Sequence, residues 1–216
     1  YIVDMPKLLD VILAETTWKD LGLNLYGNVM VRCTDPTRSN SGNMFSGLVA
    51  NMMNEGRVVD EKSVVTILPK LKDFFRRLGM MEHSSGDIFR KFITTGINNS
   101  MVVGYENQVI EFILAHPESR TLIENSVCMM YPVPTVWSSH PVISLNDKGN
   151  KLIPALMDEE VQRIAWTSHG FRSGLVGVSM DTTLLNVDFM AQSIDSIIPL
   201  PRPRAMQRIV QTLQTL

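Results

Sequence analysis

Thr34-Asp-Pro-Thr-Arg-Ser-Asn-Ser-Gly-Asn-Met-Phe45 is the stretch whose reading decides the fold. Before it lies Val29-Met-Val-Arg-Cys33, a β-favouring run behind a Tyr26-Gly-Asn28 turn signal. After it, Met44, Phe45, Leu48, Val49, Met52 and Met53 recur at a spacing that predicts a helix to Asn54. The order is strand, polar loop, helix. Thr34, Thr37, Ser39, Asn40, Ser41 and Asn43 put six small polar side chains into the ten positions 34–43. A helix opening here leaves backbone N–H groups without intrahelical partners, and its dipole adds partial positive charge. Ser and Gly let a ligand approach that backbone, so an anion or a carbonyl oxygen is the natural guest. The plainer reading is that Ser39 or Ser41 caps the helix and nothing binds, but a cap uses one residue.

The remaining composition narrows the classes. The 216 residues suffice for one packed domain, or one domain with part of another. A hydrophobic content of 44% with 19% charged residues is that of a soluble globular protein. A formal net charge of −2 argues against a nucleic-acid binder, which carries a basic excess. No apolar run approaches the roughly 20 residues needed to span a bilayer. The chain opens Tyr-Ile-Val-Asp, without a secretory n-region or h-region and without an initiator Met, which predicts a fragment. Cys33 and Cys128 both sit in apolar runs and read as buried thiols, pairing only if their strands are neighbours. No CxxC or Cys/His cluster suggests a metal, and no cofactor is expected. The 14 Met residues read as core packing.

Taken in order, residues 4–14 form an amphipathic helix with Pro6 in its first turn. Residues 63–78 form a second one, starting at Leu68 or kinked by Pro69. Its Lys70, Lys72, Arg76 and Arg77 read as a solvated face. Ser84-Ser-Gly-Asp87 opens a short helix ending near Gly96, and a strand from Ser100 to Glu106 passes into a helix over 107–115. Ser126–Tyr131 is expected to be a strand and 140–145 extended, with helices over 148–166, near 181–197 and over 205–215. Residues 29–33, 101–105 and 127–131 are expected to be strands of one sheet. Strands alternating with helices predict an α/β layer architecture. Open α/β sheets bind at the carboxyl ends of their strands, so Ser39–Asn43, Tyr105–Glu106 and Thr135–Ser139 are expected to converge on one crevice.

Little points to catalysis. There are four histidines and no G-x-S-x-G elbow. His169-Gly170 reads as a helix C-cap, and Glu106 and Glu111 are too isolated for an acid/base pair. The reading is therefore of a binding protein and not an enzyme. Arg38 is the loop's one cation, so a bound anion would be held by hydroxyls, amides and backbone N–H groups in a partly desolvated pocket. Tyr105 adds a donor on an aromatic body. Trp137 walls a pocket or packs in the core.

Thr34-Asp-Pro-Thr-Arg-Ser-Asn-Ser-Gly42, Val103-Gly-Tyr-Glu-Asn-Gln108, Tyr131-Pro-Val-Pro134, Ala155 to Ala165 and His169-Gly-Phe-Arg172 together carry a family resemblance. Over residues 1 to about 174 the chain resembles bacterial extracellular solute-binding proteins of the type II periplasmic fold, the capture components of ABC importers. Its style is nearest the phosphate-, sulfate- and molybdate-binding branches. The resemblance implies a three-layer α/β sheet lobe, mostly the second lobe, over residues 1–140. A C-terminal helical portion, 141–216, would return toward a first lobe preceding Tyr1. It makes Ser39, Asn40, Ser41, Gly42 and Asn43 candidate ligand contacts, with Tyr105 and Thr135 as further ones. The implied partners are a small-molecule solute and the transporter's membrane subunits, with no nucleic acid. The implied location is extracellular or periplasmic, lipid-anchored in the full-length protein, and exposed apolar surface would favour a homo-oligomer. Two other classes use the same fold: a ligand-sensing effector domain of a regulator or receptor, and a small-metabolite enzyme.

Overall fold

A computed structural model describes residues 1–96, 101–185, 187 and 189–216. The chain belongs to the mixed α/β class, with helix predominating. It forms two compact units, and its path is interleaved between them. The larger unit comprises Ile2–Gly104, Tyr131–Trp137 and Ser196–Leu216. The smaller comprises Tyr1, Tyr105–Met130 and Ser138–Asp195. The expected cut at residue 140 is thus replaced by a division in which 105–130 falls in the smaller unit and 196–216 in the larger. Backbone pairing explains the return of both extended segments to the larger unit. Tyr131–Pro132 pairs with Ile2–Val3, while Thr135 exchanges hydrogen bonds with Ser196 and Ile198 at 3.0 and 2.9 Å.

In the larger unit, β1 (Ile2–Val3) leads into α1 (Met5–Leu13), whose cap Asp4 accepts from the Lys7 N–H at 3.2 Å. Then come α2 (Asn40–Met53), α3 (Ser63–Leu78), which runs unbroken through Pro69, and α4 (Ser85–Thr95), closed by Gly96. The basic residues of α3 are mostly committed: Arg77 bonds Asp73 and Glu15, Arg76 bonds Asp73, and Lys72 reaches Thr215. The tail helix α9 (Pro203–Leu213) closes the unit, burying Ala205, Ile209 and Leu213 among α1, α2 and α3. Phe45, Phe74 and Phe75 meet at the centre with ring centroids 5.4–6.3 Å apart.

The tail is held at a definite place. Gly47 clears the way: a Cβ there would lie 2.8 Å from Leu200 Cδ2 and 2.9 Å from Pro201 Cδ. Beside it the fully buried Asn51 donates to the Pro199 carbonyl at 2.8 Å and accepts from the Val59 N–H at 2.9 Å. Both ends of a buried amide are satisfied, which fixes the crossing segment in register.

The sheet departs most from expectation. Among the described residues the pairing consists of β1 with β2 (Tyr131–Pro132), parallel, and isolated bridges such as Arg32 to Val102 and Thr34 to Glu82. Val29, Val31 and Cys33 are each buried and alternate with less buried neighbours, as a strand's would. Each extended run meets its neighbour over one or two rungs, so β-propensity is satisfied in conformation without a continuous ladder. Ser100, where a strand was expected to start, lies outside the described residues. Val127–Met130 is not part of a strand, and α6 (Arg120–Ser126) takes the residues before it.

The smaller unit holds α5 (Glu106–Ala115), α6, α7 (Asp147–Leu156) and α8 (Glu159–His169). The single helix expected over 148–166 is two, because Asp158 caps α8 by accepting from the Glu160 and Val161 N–H groups at 3.0 and 3.3 Å. Gly170, at φ 69°, ends α8 as expected and also lets the chain pass Ile110, whose side chain would meet a Cβ at 2.5 Å. Trp166 is fully buried and donates to the Asp181 carbonyl at 3.1 Å. The helix expected over 181–197 is reduced to one 3₁₀ turn, Thr182–Leu185; Asn186 and Asp188 lie outside the described residues. Val142, Ile143, Leu145, Leu152 and Met157 are exposed, and α7 buries none of its residues.

Candidate functional site

The polar stretch 34–43 is ordered from its first residue. Thr34 pairs with Glu82, and the Asp35 N–H donates to the Glu82 carbonyl at 2.8 Å, anchoring the loop to the segment before α4. The Asp35 carboxylate then accepts from the Thr37 N–H at 2.8 Å and its hydroxyl at 2.7 Å, closing a local turn. Arg38 lies on the outside, 3.6 Å from the same carboxylate. The helix begins at Asn40, four residues before the periodicity of apolar residues starts, so Asn40, Ser41, Gly42 and Asn43 form its first turn instead of lying in a loop. Poor intrinsic helix formers are carried there by tertiary packing.

Gly42 makes that packing possible. A Cβ on it would stand 2.2 Å from the Thr34 carbonyl oxygen and 2.8 Å from Asp35 C and Pro36 N. The first turn therefore lies directly against the 34–36 backbone. Ser41, 5% exposed, is turned inward: its Oγ is 2.6 Å from Thr34 Oγ1 and 3.1 Å from Ser39 Oγ. Ser39 occupies the N-cap position, yet its hydroxyl makes no cap bond to the backbone and joins Ser41 instead. The Ser41 hydroxyl is thus part of an internal network and does not face outward as a ligand contact would. Asn40 is exposed and reaches Met44 Sδ at 3.4 Å. Asn43 donates its N–H to the Ser39 carbonyl at 2.9 Å and lines an open groove with Met206, Gln207, Val210 and Gln211 of α9.

The hydroxyls bond one another and leave two backbone donors of the first turn without a side-chain cap. The N–H groups of Ser41 and Gly42 have no acceptor among the described residues, although both residues are buried. A helix end normally satisfies these groups with a side chain or water. Here the cap serine is occupied, so the first turn retains donors for an incoming oxygen.

The other expected contacts, Tyr105 and Thr135, belong to different units. Tyr105 falls in the smaller unit as the N-cap of α5, its N–H donating to Gln108 Oε1 at 3.0 Å. Thr135 is held by its backbone in the bridge to Ile197. Trp137 is 40% exposed, so core packing does not account for it. Both cysteines are free thiols, Cys33 buried and Cys128 exposed, which corrects the reading of both as buried. Burial, with the Asp35 carboxylate adding to it, pushes the Cys33 thiol up to about 12, leaving it protonated and unreactive. Among the described residues no group of His, Cys, Asp and Glu could hold a metal ion, and no helix is long and apolar enough to cross a membrane.

The two glutamates weighed for acid–base work have partners. Glu111 meets His169 Nδ1 at 2.8 Å. Glu106 takes both arms of the Arg172 guanidinium at 2.7 and 2.8 Å, and Arg172 also donates to the Ala191 and Gln192 carbonyls and lies 5.2 Å above Trp166. Sequence reasoning treated His169–Arg172 as a helix end and as part of the family resemblance, and gave Arg172 no partner. The arginine two residues past the capping glycine was the visible signal for more.

No protein-family model matches the chain, and no curated protein or solved structure matches it.

Proposed function

We propose that this chain is a solute-binding component of an ABC importer, a lobe-bearing chain of the type II periplasmic-binding-protein fold working outside the cytoplasmic membrane. It holds a small oxyanion at the start of α2. The observation that carries this reading is that the N–H groups of the buried residues Ser41 and Gly42 lack an acceptor among the described residues, while the neighbouring hydroxyls bond one another. Fixed amide donors with no carboxylate aimed at them suit a tetrahedral oxyanion, and the helix dipole favours negative charge there. The loop's cation, Arg38, already faces Asp35, so selection would rest on hydrogen-bond geometry more than on net charge. The interleaved path through two compact units accords with a two-lobed capture protein, in which the chain returns to a lobe it has left.

A melting-temperature screen against sulfate, phosphate, molybdate and a neutral sugar tests the reading. One oxyanion is expected to raise the melting temperature, with a stabilisation of about 2.7 kcal/mol at a hundred times its dissociation constant. A rise with the sugar and none with any oxyanion would contradict it.

A further inference from the structure

We propose that the larger unit carries a second binding site, built on Arg32 and Lys91, for a small monocarboxylate. None of its residues belongs to the start of α2. A cavity of about 270 Å³ is lined by Arg32, Cys33, Met80, Glu82, Ile88 and Lys91. Arg32 is rigidly placed, since its N–H donates to the Met101 carbonyl at 2.9 Å and its carbonyl accepts from the Val103 N–H at 2.8 Å. Its flanking residues Val31 and Cys33 are buried in the core, and its own side chain lines the cavity.

Among the described residues the guanidinium stands out by lacking a partner. Arg77, likewise partly buried, bonds Asp73 and Glu15, while the other arginines of the larger unit are exposed. Arg32 is partly withdrawn from solvent, and among the described residues no carboxylate, carbonyl or hydroxyl takes its fork. A partly desolvated charge without a counter-charge is costly, and an incoming anion relieves that cost. The lining charges fix the anion's valence. Lys91 is bonded to Glu82, so those two cancel and Arg32 leaves the cavity one positive charge. A planar guanidinium fork matches a carboxylate through two parallel hydrogen bonds. The buried Ile88 supplies an apolar wall for a short alkyl tail, with the exposed Met80 at the rim. The volume lies just below the roughly 300–1,000 Å³ of drug-sized ligand sites, which suits an acid of a few carbons.

The test is a titration of the whole chain with butanoate, followed by calorimetry and by the Arg32 amide resonance, with inorganic phosphate as comparison. Saturable butanoate binding that moves Arg32 is expected, and Arg32→Gln should weaken it at least about tenfold through loss of the charged fork. Arg32→Lys should fail to restore it. Lys91→Gln should also abolish binding, because the released Glu82 then captures Arg32. Ser41→Ala should leave butanoate binding unchanged, so failure at the α2 start and failure here are told apart. Absence of saturable binding, preference for phosphate, or unchanged affinity in Arg32→Gln would overturn the proposal. If Arg32→Gln does not fold, unchanged binding in Lys91→Gln does so instead.

Discussion

Gly42→Ala is expected to destabilise the larger unit by about 3 kcal/mol or more, at the upper end of overpacking costs. The new methyl group would sit 2.2 Å from the Thr34 carbonyl oxygen and 2.8 Å from the Asp35 and Pro36 backbone. Backbone on both sides of a collision cannot swing aside as a rotamer can, so the first turn must lift away from the 34–36 segment. That movement would also pull Ser41 from Thr34, a buried hydroxyl only 1% exposed, and leave it unsatisfied. Oxyanion binding should disappear with it. Gly47→Ala is the informative comparison. Its Cβ would meet the Leu200 side chain and the Pro201 ring, which can shift with the tail segment, so the loss should be smaller. Urea denaturation of both variants checks the order. A Gly42→Ala cost below about 1 kcal/mol would show that the first turn is not packed as described.

Arg172→Ala should be the corresponding event in the smaller unit, costing about 3–5 kcal/mol, as breaking one side of a buried ion pair does. The Arg172 and Glu106 side chains are 8% and 18% exposed, so truncation strands the Glu106 carboxylate out of water. It also strips the donor from the Ala191 and Gln192 carbonyls and uncovers the face of Trp166. Arg172→Lys should recover little of this, because one ammonium cannot serve a carboxylate, two carbonyls and an aromatic face together. Trp166 fluorescence during denaturation provides the readout, complicated by the more exposed Trp18 and Trp137 unless those are first replaced. A loss under about 1 kcal/mol would place the pair among exposed ion pairs of small effect.

The parts of this fold legible in the sequence were those with strong local signals. The 3.6-residue spacing of Met5, Leu9 and Ile12 matches the buried stripe of α1, and Pro6, Gly96 and Gly170 mark helix ends where they were expected. The sheet was less legible. Val29–Cys33 has the alternation of a strand, but whether a neighbour pairs along it depends on residues far away in sequence, and here the neighbours touch at single rungs. The tail misled for the same reason: residues 181–197 are apolar enough for a helix, while Trp166 and Arg172 tie the backbone at Asp181 and at 191–192 into other paths. At the candidate site the density of Ser, Thr and Asn was visible. Which of those groups would face inward was not, because that was decided by Gly42 letting the helix close on Thr34.

The proposed oxyanion site rests on the backbone donors of the first turn of α2. The most direct measurement is a titration of the isotope-labelled chain with sulfate, phosphate and molybdate, following the Ser41 and Gly42 amide resonances. One of these anions is expected to move both resonances downfield, saturably and in parallel with its thermal stabilisation, while the Arg32 amide stays in place. Resonances at Ser41 and Gly42 that remain fixed through all three titrations would contradict it.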